Sequence, residues 1–340
     1  MTHLTYLEAA VVGLVQGVSE LFPVSSLGHN VLIPALVGGS WEADLNVSKA
    51  ESPYLAFVVG LHVATALALL VYFRRDWVRI IGGFLSSIRE RRVETADQRL
   101  AWMIVLATIP VGLVGLVAEH PFRVLFGKPI VAGVFLAVNG VILIAGERFR
   151  RPDSLEADER IAARQEAELV AAGGRAAAPP PPAGPAHARP RAASTGGVGQ
   201  SEQTAAVASD RRLSTIGYGR AIVIGSAQIL ALFAGISRDG VTMVTGMRRG
   251  LSREDAVRFA FLLSTPVIFA AGVLKIPDLF GPLGQGIHGQ VLFGSVLSGV
   301  GAYLSVRFLM KYFQTRTLTP FAIYCLVVGL GSIVYLGVIN

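Results

Sequence analysis

Gln16-Gly17-Val18-Ser19-Glu20-Leu21-Phe22-Pro23-Val24-Ser25-Ser26-Leu27-Gly28-His29 sets a carboxylate, hydroxyls and an imidazole inside an apolar stretch. The apolar runs on either side, Leu4 to Val15 and Val31 to Val37, are each too short to cross a bilayer, which takes about 20 apolar residues. The pattern predicts a helix that enters the membrane, breaks at Phe22-Pro23 and turns back. Non-helical backbone at membrane depth persists only where it is buried in protein or lines a wet cavity. Polar groups at such a break therefore mark a candidate site.

The rest of the chain has the composition of a polytopic membrane protein: 52% of its 340 residues are hydrophobic and only 16% are charged. Further spans are expected near 54–73, 101–118, 130–147, 256–275, 288–309 and 318–338, with a second short, broken segment at 217–250. The formal net charge of +7 does not indicate nucleic acid, because the basic residues sit between hydrophobic spans, where they orient the chain. The single cysteine, Cys325, excludes an internal disulfide. The N-terminus carries Glu8 within its apolar run and no basic flank, so it does not read as a cleaved signal peptide.

The expected fold is all-α: an inverted repeat in which each half is a broken re-entrant helical hairpin plus about three transmembrane helices. The first half is 1–147 with its hairpin at 5–38, and the second is 214–340 with its hairpin at 217–250. Between them, 148–213 opens with a charged, Ala-rich piece, Asp153 to Ala172, suited to an exposed helix, and then runs into Pro179-Pro180-Pro181-Pro182 and a Gly/Ser/Ala-rich tract, a composition of disorder. It reads as a cytoplasmic linker without chemistry. The 74–100 stretch, read as a loop, holds Arg74, Arg75, Arg79, Arg89, Arg91, Arg92 and Arg99. Basic loops stay cytoplasmic, which places both termini outside. Sliding Leu21-Phe22 onto Leu232-Phe233 brings Ser26 onto Ser237, a weak trace of the repeat. Broken helices of such repeats meet near the midplane at binding sites.

The second break reads Ala234-Gly235-Ile236-Ser237-Arg238-Asp239-Gly240-Val241-Thr242. Gly235 and Gly240 permit tight turns and close approach to a ligand. Ser237, Thr242 and the N–H groups of a half-helix start can cradle an anion. Arg238 is the sharpest feature, since a guanidinium within a membrane is costly and matches phosphate bidentately. Its plainer role would be a structural partner for Asp239 or Glu20. Ser25 reads equally well as a helix cap. His62 and Thr65 read as packing residues, and His120 and His288 as solvated.

These two segments resemble, in order, the glutamate-rich and Pro-Val-Ser-Ser-x-Gly-His motif and the Pro-Gly-x-Ser-Arg-Ser-Gly-x-Thr motif of the undecaprenyl-diphosphate phosphatase (bacitracin-resistance protein) family. The resemblance extends to Leu61-His62 and Pro320-Phe321-Ala322-Ile323-Tyr324. It implies a hydrolase of the bacterial plasma membrane that removes the terminal phosphate of a polyprenyl diphosphate. The product recycles as the carrier lipid of cell-wall synthesis, and the site opens to the extracytoplasmic side. By the resemblance, Glu20 binds a metal or transfers a proton, Ser26 is nucleophile or phosphate ligand, and His29 is its acid/base partner. It further implies a divalent cation, Mg²⁺ with Ca²⁺ as the alternative, and leaves a homodimer open. Gln16 stands where the family has Glu, and Asp239 where it has Ser. The expectation is that Asp239 supplies the carboxylate missing at 16 and joins Glu20 as a metal ligand. The rival reading is a transporter or flippase of polyprenyl phosphate lipids, which would need anion binding but no nucleophile and base.

Overall fold

A computed structural model describes residues 4–45, 53–126, 128–152, 154, 156–161, 163 and 197–338. Among them there is helix and no strand. The first break is as expected: α1 (Tyr6–Ser19) and α2 (Ser26–Val37) flank a turn. A capping box starts α1, with the Thr5 hydroxyl accepting from the Glu8 amide at 3.2 Å and the Glu8 carboxylate accepting from the Thr5 amide at 2.7 Å. Pro23 has no N–H to continue that helix. Ser25, at a φ of 67°, caps the next. A short α3 (Ser40–Asp44) follows.

Then come α4 (Pro53–Tyr72), α5 (Arg74–Glu90), α6 (Ala96–Phe126) and α7 (Pro129–Arg148). After α8 (Gly197–Leu213), the second break consists of α9 (Tyr218–Ser226), a 3₁₀ stretch Ala227–Leu232, an extended turn and α10 (Arg238–Arg248). The chain closes with α11 (Arg253–Phe280), α12 (His288–Tyr312) and α13 (Thr319–Val338). Among the described residues five helices are long and apolar enough to cross a membrane, or seven if each of two bent pairs counts as one span. The chain is an all-α, multi-pass membrane protein.

The packing brings the two broken segments to one place. α1 lies on α12 and α9 on α6, while α7 touches α13, α10 and α2. α1 and α12 meet backbone to backbone: a Cβ on Gly13 would stand 2.6 Å from the Gly294 carbonyl oxygen, and one on Gly17 would collide with that of Ser298. Small residues of this kind let membrane helices approach closely.

Two expectations need correction. The stretch 74–90 is a helix, not a loop, turned 85° from α4. Its arginines are spent in part on ion pairs: Arg79 meets Asp76 at 2.7 Å, Asp97 at 3.0 Å and Asp210 at 2.5 Å. The linker 148–213 is also less loose at its flanks than its composition suggests. Asp158 bonds the Arg253 amide at 2.9 Å and Arg150 at 2.7 Å, and the Ser154 hydroxyl donates to the Leu251 carbonyl at 2.6 Å. On the other flank Asp210 is buried against Arg258 at 2.8 Å. The Pro179–Pro182 tract lies outside the described residues.

Candidate active site

Glu20 is the centre of the first break. It is 6% exposed and both its carboxylate oxygens are occupied. Oε2 accepts from Gln16 Nε2 at 2.8 Å and from the Ser26 hydroxyl. Oε1 accepts from Arg238 Nη2, which reaches it from the start of α10. His62, on α4, comes within 3.7 Å of Oε2 and 3.4 Å of Gln16 Nε2. Its other ring nitrogen lies 2.8 Å from the Val58 carbonyl. That oxygen can only accept, so Nδ1 carries a proton and Nε2 faces the cluster. Gln16 is held in turn by Asn30, whose amide donates to Oε1 at 2.8 Å.

The second break supplies Arg238 at the first turn of α10, with Ser237 as cap; the Ser237 hydroxyl accepts from the Gly240 amide at 3.1 Å. Gly235 has a φ of 114°, and a Cβ there would lie 2.5 Å from the Ala132 carbonyl oxygen. Only glycine fits both the conformation and the contact. The Gly235 amide donates to the Ser25 hydroxyl at 3.2 Å, so one serine caps α2 and touches the other break. Thr242 donates to the Arg238 carbonyl at 2.7 Å, which holds its hydroxyl on its own helix. A buried guanidinium–carboxylate pair stands only when further hydrogen bonds complete it. Gln16 and Ser26 do that for Glu20.

Glu20, Ser26, Arg238, Gln16, Ser25, Gly235, Ser237 and Gly240 thus assemble around one junction. His29 does not pair with Ser26. Its Nδ1 is 2.7 Å from the Ser25 carbonyl, and its Nε2 is 2.7 Å from the Tyr324 hydroxyl of α13. The Ser26 hydroxyl turns to Glu20 because the two face each other across the turn, whereas His29 sits a helical turn further along α2. Asp239 is fully buried and accepts from Ser264 on α11, with no described bond to Gln16 or Glu20. Residues beyond the expected set belong here, Asn30, Tyr324, His62 and Asn139 among them. His62 reads as packing from its place within a span, although Leu61-His62 lies within the resemblance. Asn139 carried only one signal, an amide in the middle of an apolar span.

The implied Mg²⁺ would have Glu20 and Asp239, which interact electrostatically, as its carboxylates here. That ion is held by one or two carboxylates together with phosphate oxygens and waters. Among the described residues no group of three or more His, Cys, Asp or Glu stands together to hold a metal. The oxygens of Glu20 answer two neutral donors and a guanidinium, while Asp239 accepts from Ser264 through Oδ1 and leaves Oδ2 buried without a hydrogen-bond partner among the described residues.

Beside His29, an apolar recess of about 620 Å³ runs along Leu14, Val18, Phe22, Ile33, Phe321 and Tyr324. A charged, hydrogen-bonded junction with an apolar channel alongside suits a lipid that carries an anionic head.

Comparison with known proteins agrees. The family model described as "Bacitracin resistance protein BacA" matches residues 9–172 and 195–331. The chain is similar to an undecaprenyl-diphosphatase of Mycolicibacterium paratuberculosis, 58% identical over 98% of both chains. It is 56% identical to undecaprenyl-diphosphatase 2 of Frankia alni over 97% of both. At greater distance, undecaprenyl-diphosphatase 2 of Burkholderia lata is 38% identical over 93% of this chain and 91% of its own.

Proposed function

The chain belongs to the bacitracin resistance protein BacA family, and from that premise we propose that it hydrolyses undecaprenyl diphosphate to undecaprenyl phosphate and inorganic phosphate, recycling the carrier lipid of cell-wall synthesis. The observation that carries this reading is the meeting of Ser26, Glu20 and Arg238: a hydroxyl on a carboxylate that is itself paired with a phosphate-binding side chain.

The Arg238–Glu20 pair occupies the place a phosphate would take. An incoming diphosphate exchanges for Glu20 at the guanidinium, and the released carboxylate becomes a better base toward the Ser26 hydroxyl. Ser26 Oγ then attacks the terminal phosphorus while its proton passes to Glu20. The bond to the bridging oxygen breaks in line, and undecaprenyl phosphate leaves. Water hydrolyses the phosphoserine, releasing phosphate and returning the proton to Ser26. Catalysis of this kind rests on positioning and charge neutralisation. Arg238 and the amides at the start of α10 supply both. The prenyl tail lies along the recess beside Phe22 and Tyr324.

A divalent cation, Mg²⁺ or Ca²⁺, would be held by Glu20 or Asp239 together with oxygens of the diphosphate, whose charge it would neutralise. The protein sits in the bacterial plasma membrane with the junction open to the extracytoplasmic side, a reading supported by the arginines between spans. The inverted repeat is supported by reciprocal packing, α1 on α12 against α9 on α6.

Phosphate release from undecaprenyl diphosphate by the purified protein in detergent, with and without EDTA, tests the reading. Turnover in detergent separates hydrolysis from vectorial transport; its absence there would overturn the phosphatase and favour a flippase.

A further inference from the structure

Asn139 lies at the middle of α7 and is fully buried. Its side-chain amide bonds to the main chain of both broken segments at once. Nδ2 donates to the Pro23 carbonyl at 2.9 Å, and Oδ1 accepts from the Ser237 amide at 3.0 Å. Nδ2 also lies 3.3 Å from Cys325 Sγ on α13. Pro23 comes three residues after Glu20 and three before Ser26, and Ser237 immediately precedes Arg238. Both bonded groups are main-chain groups in non-helical turns, where no helix or sheet partner is at hand and each bond lost at this depth is costly.

We propose that Asn139 is a positioning residue for the hydrolysis put forward above: it fixes the register of the nucleophile-bearing turn against the phosphate-binding turn while the Glu20–Arg238 pair is open. In the closed site that ion pair itself ties the turns together. Once a diphosphate takes Arg238, the tie is gone, and what remains is Asn139 together with the weaker Ser25–Gly235 contact at 3.2 Å. A side chain with one donor and one acceptor is what two facing turns require, a carbonyl on one side and an N–H on the other. Cys325 is the one ionisable side chain with a described bond to Asn139.

The consequence for kinetics is specific. The groups that grip phosphate share the second turn and keep their own geometry without Asn139, so substrate binding survives. Alignment of Ser26 with the phosphorus spans the two turns and does not. Misplacement of about 1 Å can cost about 100-fold in rate.

The proposal rests on the phosphatase reading, and three proteins test it: wild type, Asn139→Ala and Asn139→Asp, each purified in detergent with undecaprenyl diphosphate as substrate. Asn139→Ala should lose about tenfold or more in kcat with KM changed by less than about threefold. Asn139→Asp keeps the acceptor for Ser237, but donates to Pro23 only as the neutral acid. Its kcat relative to wild type should therefore rise about fivefold or more as the pH falls from about 8 to about 5.5, and its melting temperature should approach that of wild type over the same range. A general loss of packing would not produce that pH-dependent recovery. An Ala variant within about twofold of wild-type kcat, or an Asp-to-wild-type ratio that stays below about a fifth at every pH down to about 5.5, overturns the proposal. If the Ala variant fails to fold, the Asp ratio decides. If wild type itself releases no phosphate, the phosphatase reading fails instead, and melting judges the brace: an Ala variant that melts with wild type removes it.

Discussion

Arg238 and Glu20, 218 positions apart in sequence, close one ion pair that joins the two broken segments of the fold. Each is buried enough that neither is plausible alone, and together they neutralise the junction before any substrate arrives. Much of the chemistry follows from what must happen when this pair opens.

Arg238→Lys keeps the charge and loses the planar fork that can hold a phosphate and a carboxylate in succession. Turnover should fall by about 100-fold or more, while Arg74→Lys, at the exposed start of α5, should be close to neutral. Phosphate release measured side by side on the two variants checks this. An Arg238→Lys enzyme of near-normal catalytic efficiency would remove Arg238 from phosphate binding.

Ser26 and Glu20 should behave as a unit. Ser26→Ala and Glu20→Gln should each nearly abolish turnover, and the double variant should be little worse than either. His29 belongs to a different unit, since its ring meets Tyr324. Tyr324→Phe should reproduce part of the loss of His29→Ala, and the pair should be less than additive. Independent, multiplying losses in Ser26 and Glu20 would contradict their pairing.

Asp239 should couple with Ser264 and not with Gln16. A double-mutant cycle of Asp239→Ser with Ser264→Ala is expected to give a coupling of about 0.5–3 kcal/mol in stability, as for residues in direct contact. The cycle of Asp239→Ser with Gln16→Glu should give none beyond error. The reverse result would restore the idea that Asp239 stands in for the carboxylate absent at 16.

Deletion of 164–196 should leave phosphate release intact, because this Pro- and Ala-rich stretch has the composition of a tether. Extending the deletion to include Asp210 should not be tolerated. Asp210 answers the guanidinia of both Arg258 and Arg79, and stranding a buried charge costs about 3–5 kcal/mol. Melting of Asp210→Ala in detergent isolates that term. An unchanged melting temperature would show that the network is not structural.

Orientation can be read with single cysteines in a Cys325→Ser background. Positions 44 and 284 should react with a membrane-impermeant thiol reagent in intact cells, and positions 90 and 190 should not. The opposite pattern would turn the junction toward the cytoplasm.

The two breaks were legible because polar residues are rare in apolar sequence: Glu20, Ser26 and Arg238 announce themselves. The long spans were legible for the complementary reason. α5 was not, since its arginines obscure an apolar side made by Trp77, Ile80, Ile81 and Phe84, which line a recess with α6. The partner of His29 was out of reach as well. A histidine beside two serines suggests a local pair, and nothing local points to Tyr324, 295 residues away. Asn139 was missed because its importance lies in which two carbonyl and amide groups it touches, and those are set only when α7 is packed between the turns.

The contact of α1 with α12 has a consequence for how the site can be lost. Gly13 and Gly17 let α1 rest on the carbonyls of Gly294 and Ser298, and Glu20 follows directly on that helix. α1 is in effect a lever with its fulcrum at the two glycines and the carboxylate at its tip. One methyl group at Gly17 has no charge and meets no substrate. It would nonetheless pry the helix from its seat and swing Glu20 away from both Ser26 and Arg238, disarming the enzyme from a position that does no chemistry.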